Sequence, residues 1–89
     1  MDTDRPPTIT LRLHGVLQDI VGEHVLPVGT EDGPVTPAAV FERAILVHPG
    51  LAAYRTSVAF GNDHEIIASD GEIPASINVI EVLPPISGG

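Results

Sequence analysis

Residue types that do chemistry are thinly spread in this chain of 89 residues. Cysteine and lysine are both absent, which removes a thiol nucleophile, a disulfide, an iron–sulfur ligand and any side-chain amine. His14, His24, His48 and His64 fall in separate stretches, none at the i, i+4 spacing that places two metal ligands on one helix face. They are expected to face solvent or pack, and no metal site is expected. Glu31-Asp32-Gly33 and Asp70-Gly71-Glu72 lack the alternating oxygen ligands of a calcium loop and read as turns. Ser57 and Ser87 have no Gly-x-Ser-x-Gly setting to activate a hydroxyl. A phosphate loop needs a lysine that the chain does not have.

What remains is the run Pro84-Pro85-Ile86-Ser87-Gly88-Gly89. The prolines favour a stiff, extended backbone. Gly88 and Gly89 carry no Cβ, so a narrow channel can admit them. No side chain after Glu81 is charged, and the α-carboxylate at Gly89 is ionised at neutral pH, its reference pKa being about 3.3–3.7. A Gly-Gly ending alone is weak, since it arises by chance in roughly one chain in two hundred. It gains weight because an apolar, strand-like run over residues 77–83 leads straight into the prolines. The tail is thus expected to be launched from a core element and to present a carboxylate.

Val82-Leu83-Pro84-Pro85-Ile86-Ser87-Gly88-Gly89 closely resembles the C-terminus of the MoaD/ThiS family of ubiquitin-like sulfur carriers. The ending is most similar to that of the small subunit of molybdopterin synthase. The resemblance implies a β-grasp fold. It also implies that the Gly89 carboxylate is adenylated by an E1-like enzyme and converted to a thiocarboxylate. That sulfur would then be donated in molybdenum cofactor biosynthesis, beside a larger catalytic subunit. ATP and magnesium, often with zinc, belong to the activating partner, and no cofactor is expected on this chain. Pro84 to Gly88 would thread the partner's channel, and the chain is expected to carry sulfur for an enzyme without being catalytic alone. The missing lysine and cysteine fit such a role, since an activated Gly89 finds no side-chain amine or thiol of its own to acylate. The departures are Ala75-Ser76-Ile77-Asn78 where the family has an acidic turn, and a shortage of basic surface residues. They leave open carriers for thiamine, cysteine, thiolated tRNA or a natural product. A ubiquitin-like protein modifier and a non-catalytic β-grasp interaction module also stay open.

The elements that must position the tail are legible in part. Residues 8–14 alternate, with Ile9, Leu11 and Leu13 on one face, as in a half-buried strand. Residues 16–21 read as a short helical turn stopped by Gly22. Residues 23–28 form a second strand, antiparallel to the first, in which Pro27 demands an edge or a bulge. Thr36 offers an N-cap hydroxyl, Pro37 suits the first helical position, and Val35 and Val40 sit at staple positions. A stripe of Val40, Phe41, Ala44, Ile45 and His48 predicts one amphipathic helix, ended by Pro49-Gly50. Residues 51–54 read as a connector. Strands are expected at 56–60, with Val58 and Phe60 inward, at 65–68 and at 77–83, with a turn at Gly61-Asn62-Asp63 between the first two. On the last strand, Ile80 and Val82 should face the helix. Val79, Glu81 and Leu83 should then face outward, two exposed aliphatics and one acid forming a partner-docking patch. The expected class is α+β: a mixed sheet of four to five strands with one main helix across it, over residues 8–83. Residues 1–7 form a loose lead-in and 84–89 the extended tail.

Composition sets the outer limits. At 43% hydrophobic residues the chain is globular, and its size allows one core that buries about 60% of the unfolded surface. Phe41, Tyr54 and Phe60 are its only aromatics, so that core is aliphatic. Net charge is −8, with 12 acids against four arginines. This argues against nucleic acid and anionic membranes and favours a basic partner surface. No apolar run reaches the ~20 residues of a membrane span. No basic-then-apolar leader is visible, so a cytoplasmic location is the expectation.

Overall fold

The computed structural model describes residues 8–30, 34–62, 65–74 and 76–85. Five strands form one mixed sheet in the order β2-β1-β5-β3-β4. These are β1 (Thr8–Leu13), β2 (Val25–Gly29), β3 (Ala59–Asn62), β4 (Glu65–Ile67) and β5 (Val79–Leu83). β1 and β5 run parallel at the centre, and the other pairings are antiparallel. A short helix α1 (Val16–Val21) follows β1, and the long helix α2 (Pro37–Val47) precedes a 3₁₀ helix (Pro49–Tyr54).

The alternation in β1 is realised in full, with Ile9, Leu11 and Leu13 completely buried. Ile80 and Val82 of β5 join them on the inner face, against Val40, Phe41, Ala44 and Ile45 of α2. Phe41 and Phe60 meet edge to face, ring centroids 5.9 Å apart, a geometry in which the edge of one ring meets the electron-rich face of the other. Thr36 caps α2 as expected, its Oγ1 accepting from the Ala39 N–H at 3.2 Å. A second free donor of that first turn, Ala38 N–H, reaches Ser69 O at 2.9 Å, so the loop before β5 is stitched to the helix N-terminus. Ile73 N–H donates to Val35 O from the same loop, and its side chain is fully buried.

Pro27 does lie in an edge strand, and the ladder shows why it is tolerated there. Thr10 N–H donates to Asn78 O at 2.8 Å, toward β5. Thr10 therefore pairs with Pro27 at a non-hydrogen-bonded position of the β1–β2 ladder. The proline nitrogen faces the open edge and costs the sheet no bond.

Several expectations need correction, among them the second strand, which spans Val25–Gly29 and not 23–28. The third strand spans Ala59–Asn62, not 56–60, and Val58 is half-buried just before it. The chain over Arg55 and Ser57 is still closing the 3₁₀ helix, with Ser57 N–H donating to Tyr54 O at 3.0 Å. Gly61 and Asn62, expected in a turn, are paired in the strand, Gly61 with Ile66 and Asn62 with Glu65, while Asp63 of that expected turn lies outside the described residues. The last strand starts at Val79, since Ile77 N–H is used in a turn to Pro74 O at 3.0 Å. The connector at 51–54 belongs to the six-residue 3₁₀ helix.

Candidate functional site: the outer sheet face and the root of the tail

Strand register builds a row of side chains across the sheet face turned away from α2. Arg12 on β1 pairs with Glu81 on β5, Glu81 with Gly61 on β3, and Gly61 with Ile66 on β4. Both carboxylate oxygens of Glu81 are used. His14 Nε2 donates to Oε1 at 2.5 Å, and Arg12 Nη1 lies 3.2 Å from Oε2. His24 Nδ1 donates to Leu13 O at 3.0 Å, which fixes that proton on Nδ1. Its ring stands edge-on to His14, centroids 5.4 Å apart. The fold thus brings together two histidines that the sequence spread over separate stretches. Among the described residues no cluster of three or more His, Cys, Asp or Glu could hold a metal; His64, Glu31 and Asp32 lie outside them.

Gly61 contributes no side chain to the row, and a Cβ there would stand 3.0 Å from the Glu65 carbonyl oxygen. The gap between Glu81 and Ile66 is a shallow hollow of about 390 Å³, walled by His14, Asn62, Glu65, Ile66 and Leu83. Val79 lines a second, more polar hollow with Arg12, Ser76 and Asn78. Of the expected docking residues, Val79, Glu81 and Leu83 all sit on this outer face, but each is half-buried. The exposed aliphatics of this face are Ile66, 72% accessible, and Val25, paired with Arg12 at the far edge, neither of which the sequence reading singled out. The signal was present: in Glu65-Ile66-Ile67 a strand cannot turn both isoleucines inward.

The same end of the sheet launches the tail. Leu13 pairs with Val82, so His14 and Gly15 run beside Leu83 and Pro84 as the two parallel strands leave together. Pro84 is half-buried and Pro85 exposed. Ile86, Ser87, Gly88 and Gly89, four of the expected tail residues, lie outside the described residues. Three features then stand together: parallel central strands, a helix across one face, and a last strand that runs from mid-sheet into the prolines.

The chain is a β-grasp.

Solved structures bear this out across almost its whole length. The crystal structure of SAMP1 from Haloferax volcanii superposes with a TM-score of 0.74 at 20% identity, covering 92% of this chain and 99% of that one. A crystal structure of H. volcanii small archaeal modifier protein 1 gives 0.74 at 17% identity, covering 91% and 100%. The solution structure of small archaeal modifier protein 1 from Methanosarcina acetivorans gives 0.58 at 21% identity, covering 92% and 96%. No protein-family model matches the chain, and no curated protein matches it at a significant level.

Outside this face a further charge contact joins α2 to the end of the 3₁₀ helix. Arg55 grips Glu42 with two bonds, Nε to Oε2 at 2.5 Å and Nη2 to Oε1 at 3.0 Å. The bond from Arg55 holds the Glu42 carboxyl below its ordinary range, and the same bond raises the Arg55 guanidinium. No helix among the described residues is long and apolar enough to cross a membrane.

Proposed function

We propose that this protein is a sulfur carrier whose Gly89 carboxyl is the working group, in the manner of the MoaD/ThiS carriers. One observation supports this above the others. The run Pro84-Pro85-Ile86-Ser87-Gly88-Gly89 continues β5, the middle strand of a β-grasp sheet, with no charged side chain beyond Glu81. The fold supplies a rigid base at Leu83, and the glycines supply a terminus thin enough for an active-site channel. A Gly89 carboxylate oxygen attacks the α-phosphorus of ATP in an E1-like partner and pyrophosphate leaves. Sulfide or a partner persulfide then attacks the acyl carbon, AMP departs, and a partner thiol cleaves the sulfur–sulfur bond where a persulfide was used. A thiocarboxylate remains on Gly89. ATP and magnesium belong to that partner.

The outer face is the docking surface in this reading. Ile66 and Leu83 around the Gly61 hollow supply apolar contact, and Val79 and Glu81 extend it along β5. Glu81 is already paired with Arg12 and His14, so a partner need not desolvate a bare carboxylate there. The acidic remainder of the surface suits a basic partner. The receiving reaction of first choice is molybdopterin formation with a larger catalytic subunit, on the likeness of the last eight residues. Intact mass after incubation with an E1-like enzyme, ATP and a sulfur source tests the carrier role. One oxygen replaced by sulfur is the expected product, and an unchanged mass with several such enzymes removes this reading.

A second reading has its own support: the three neighbours above are named as small archaeal modifier proteins. In that case the activated Gly89 acyl group passes to an amine of another protein. Accumulation of high-mass conjugates in cells expressing the tagged chain, lost on deletion of Gly89, favours the modifier role.

A further inference from the structure

Two parallel strands end side by side at the tail end of the sheet, and they must part there without colliding. β1 turns away through Gly15, whose backbone sits at φ 58°, ψ −131°, a conformation essentially closed to residues with a Cβ. A Cβ placed on Gly15 would lie 3.4 Å from Pro84 Cγ, so the corner passes beside the first tail residue. One residue back, His14 is bonded to Glu81 of β5. The corner is therefore tied to β5 through His14 and lies beside Pro84 where the tail departs. Covalent geometry adds to this. Leu83 and Pro84 each precede a proline and are steered to extended backbone, while both proline rings fix φ.

We propose that the His14–Gly15 corner is a positioning device that sets the direction in which the tail leaves the sheet. His14 and Gly15 touch no reacting atom; they act through Glu81 and Pro84. The kinetic consequence rests on the sulfur-carrier reading, since a partner that docks on the outer face receives the glycines only if they point into its channel. Displacements of about one ångström at a reacting carbon can cost a hundredfold in rate.

Two measurements separate this proposal from the function it serves. The chain has no cysteine, so a Ser87→Cys variant takes a single nitroxide label. Paramagnetic broadening of backbone amides then maps where the tail points, with no partner present. In the otherwise unaltered chain the broadened amides should form one compact sector near the corner. With Pro84→Ala, and with His14→Ala, the sector should spread to about twice as many amides at unchanged melting temperature, because the proline ring beside the corner or the tie to Glu81 is lost. Identical broadening patterns in all three proteins overturn the proposal. Gly15→Ala strains the backbone and Pro84→Ala also frees the covalent restraint on the tail, so His14→Ala, which removes only the tie to Glu81, is the deciding variant. In thiocarboxylation by an E1-like enzyme, unlabelled His14→Ala should lower kcat about tenfold, the signature of a misdirected tail. A kcat equal to that of the unaltered chain overturns the proposal. If the unaltered chain gains no sulfur at all, the carrier reading fails, and the broadening maps still decide the role of the corner.

Discussion

His14 donates to Glu81 at 2.5 Å across 67 residues of sequence, tying the end of the first strand to the middle of the last. Arg12 holds the other oxygen of the same carboxylate. The outer sheet face therefore presents a balanced charge cluster beside an apolar hollow, immediately before the tail begins. Its neighbours Ile66 and Leu83 carry the first prediction. Ile66→Glu or Leu83→Glu should weaken binding to an activating or catalytic partner about tenfold or more, since central apolar contacts dominate interface energy. The fold should survive Ile66→Glu, whose side chain is mostly in water. Titration calorimetry with the circular dichroism spectrum as control checks both halves. Unchanged affinity for both variants removes this face from the interface.

Phe41 is 1% exposed at the centre of α2 and stacks edge to face on Phe60. Phe41→Ala should cost roughly 3–5 kcal/mol, a large share of what a domain of this size has to spare. Chemical denaturation should show the midpoint falling with little change in slope.

Gly89 sets the position of the reacting carbon and contributes nothing to the core in the carrier reading. Deleting it, or adding a residue after it, should abolish thiocarboxylation while the melting temperature stays within a degree or so. Mass spectrometry and a thermal melt on the same samples decide the point, and a coupled loss of stability would show that the tail packs on the fold.

Glu42 is held ionised by Arg55, so its pKa in the folded chain lies below that of the unfolded chain. A depressed carboxyl stabilises the fold above its unfolded value, about 4.3, and that contribution is lost as pH falls through the folded value. The pair is exposed, so the effect is small. The melting-temperature gap between the unaltered chain and Glu42→Gln should be present at pH 7 and close in strong acid; a gap that widens on acidification contradicts the assignment.

Pro27 leaves the outer edge of β2 without a donor at its middle residue. Pro27→Thr restores that N–H without disturbing the β1 ladder, and should raise self-association at high concentration. Sedimentation velocity across a concentration series measures it.

The sequence by itself determined the elements whose pattern is local. Alternation in β1, the Thr36-Pro37 cap and the α2 stripe each encode their structure within a dozen residues, because side-chain period and capping chemistry act over one or two turns. The β-grasp itself was implied by the resemblance of the last eight residues to the MoaD/ThiS carriers, and not by the order of the elements. Tertiary structure alone decided what depends on register. Whether Gly61 belonged to a turn or a strand was set by where β3 met β5 and β4, a choice between alignments that local propensity does not rank. The same register placed Arg12, His14 and Glu81 in one cluster and left Ile66, not Val79 or Leu83, as the most exposed aliphatic beside the hollow. It also set Gly15 against Pro84. Residues so far apart in sequence meet only once the central parallel pair has formed, so no window along the chain contains that information.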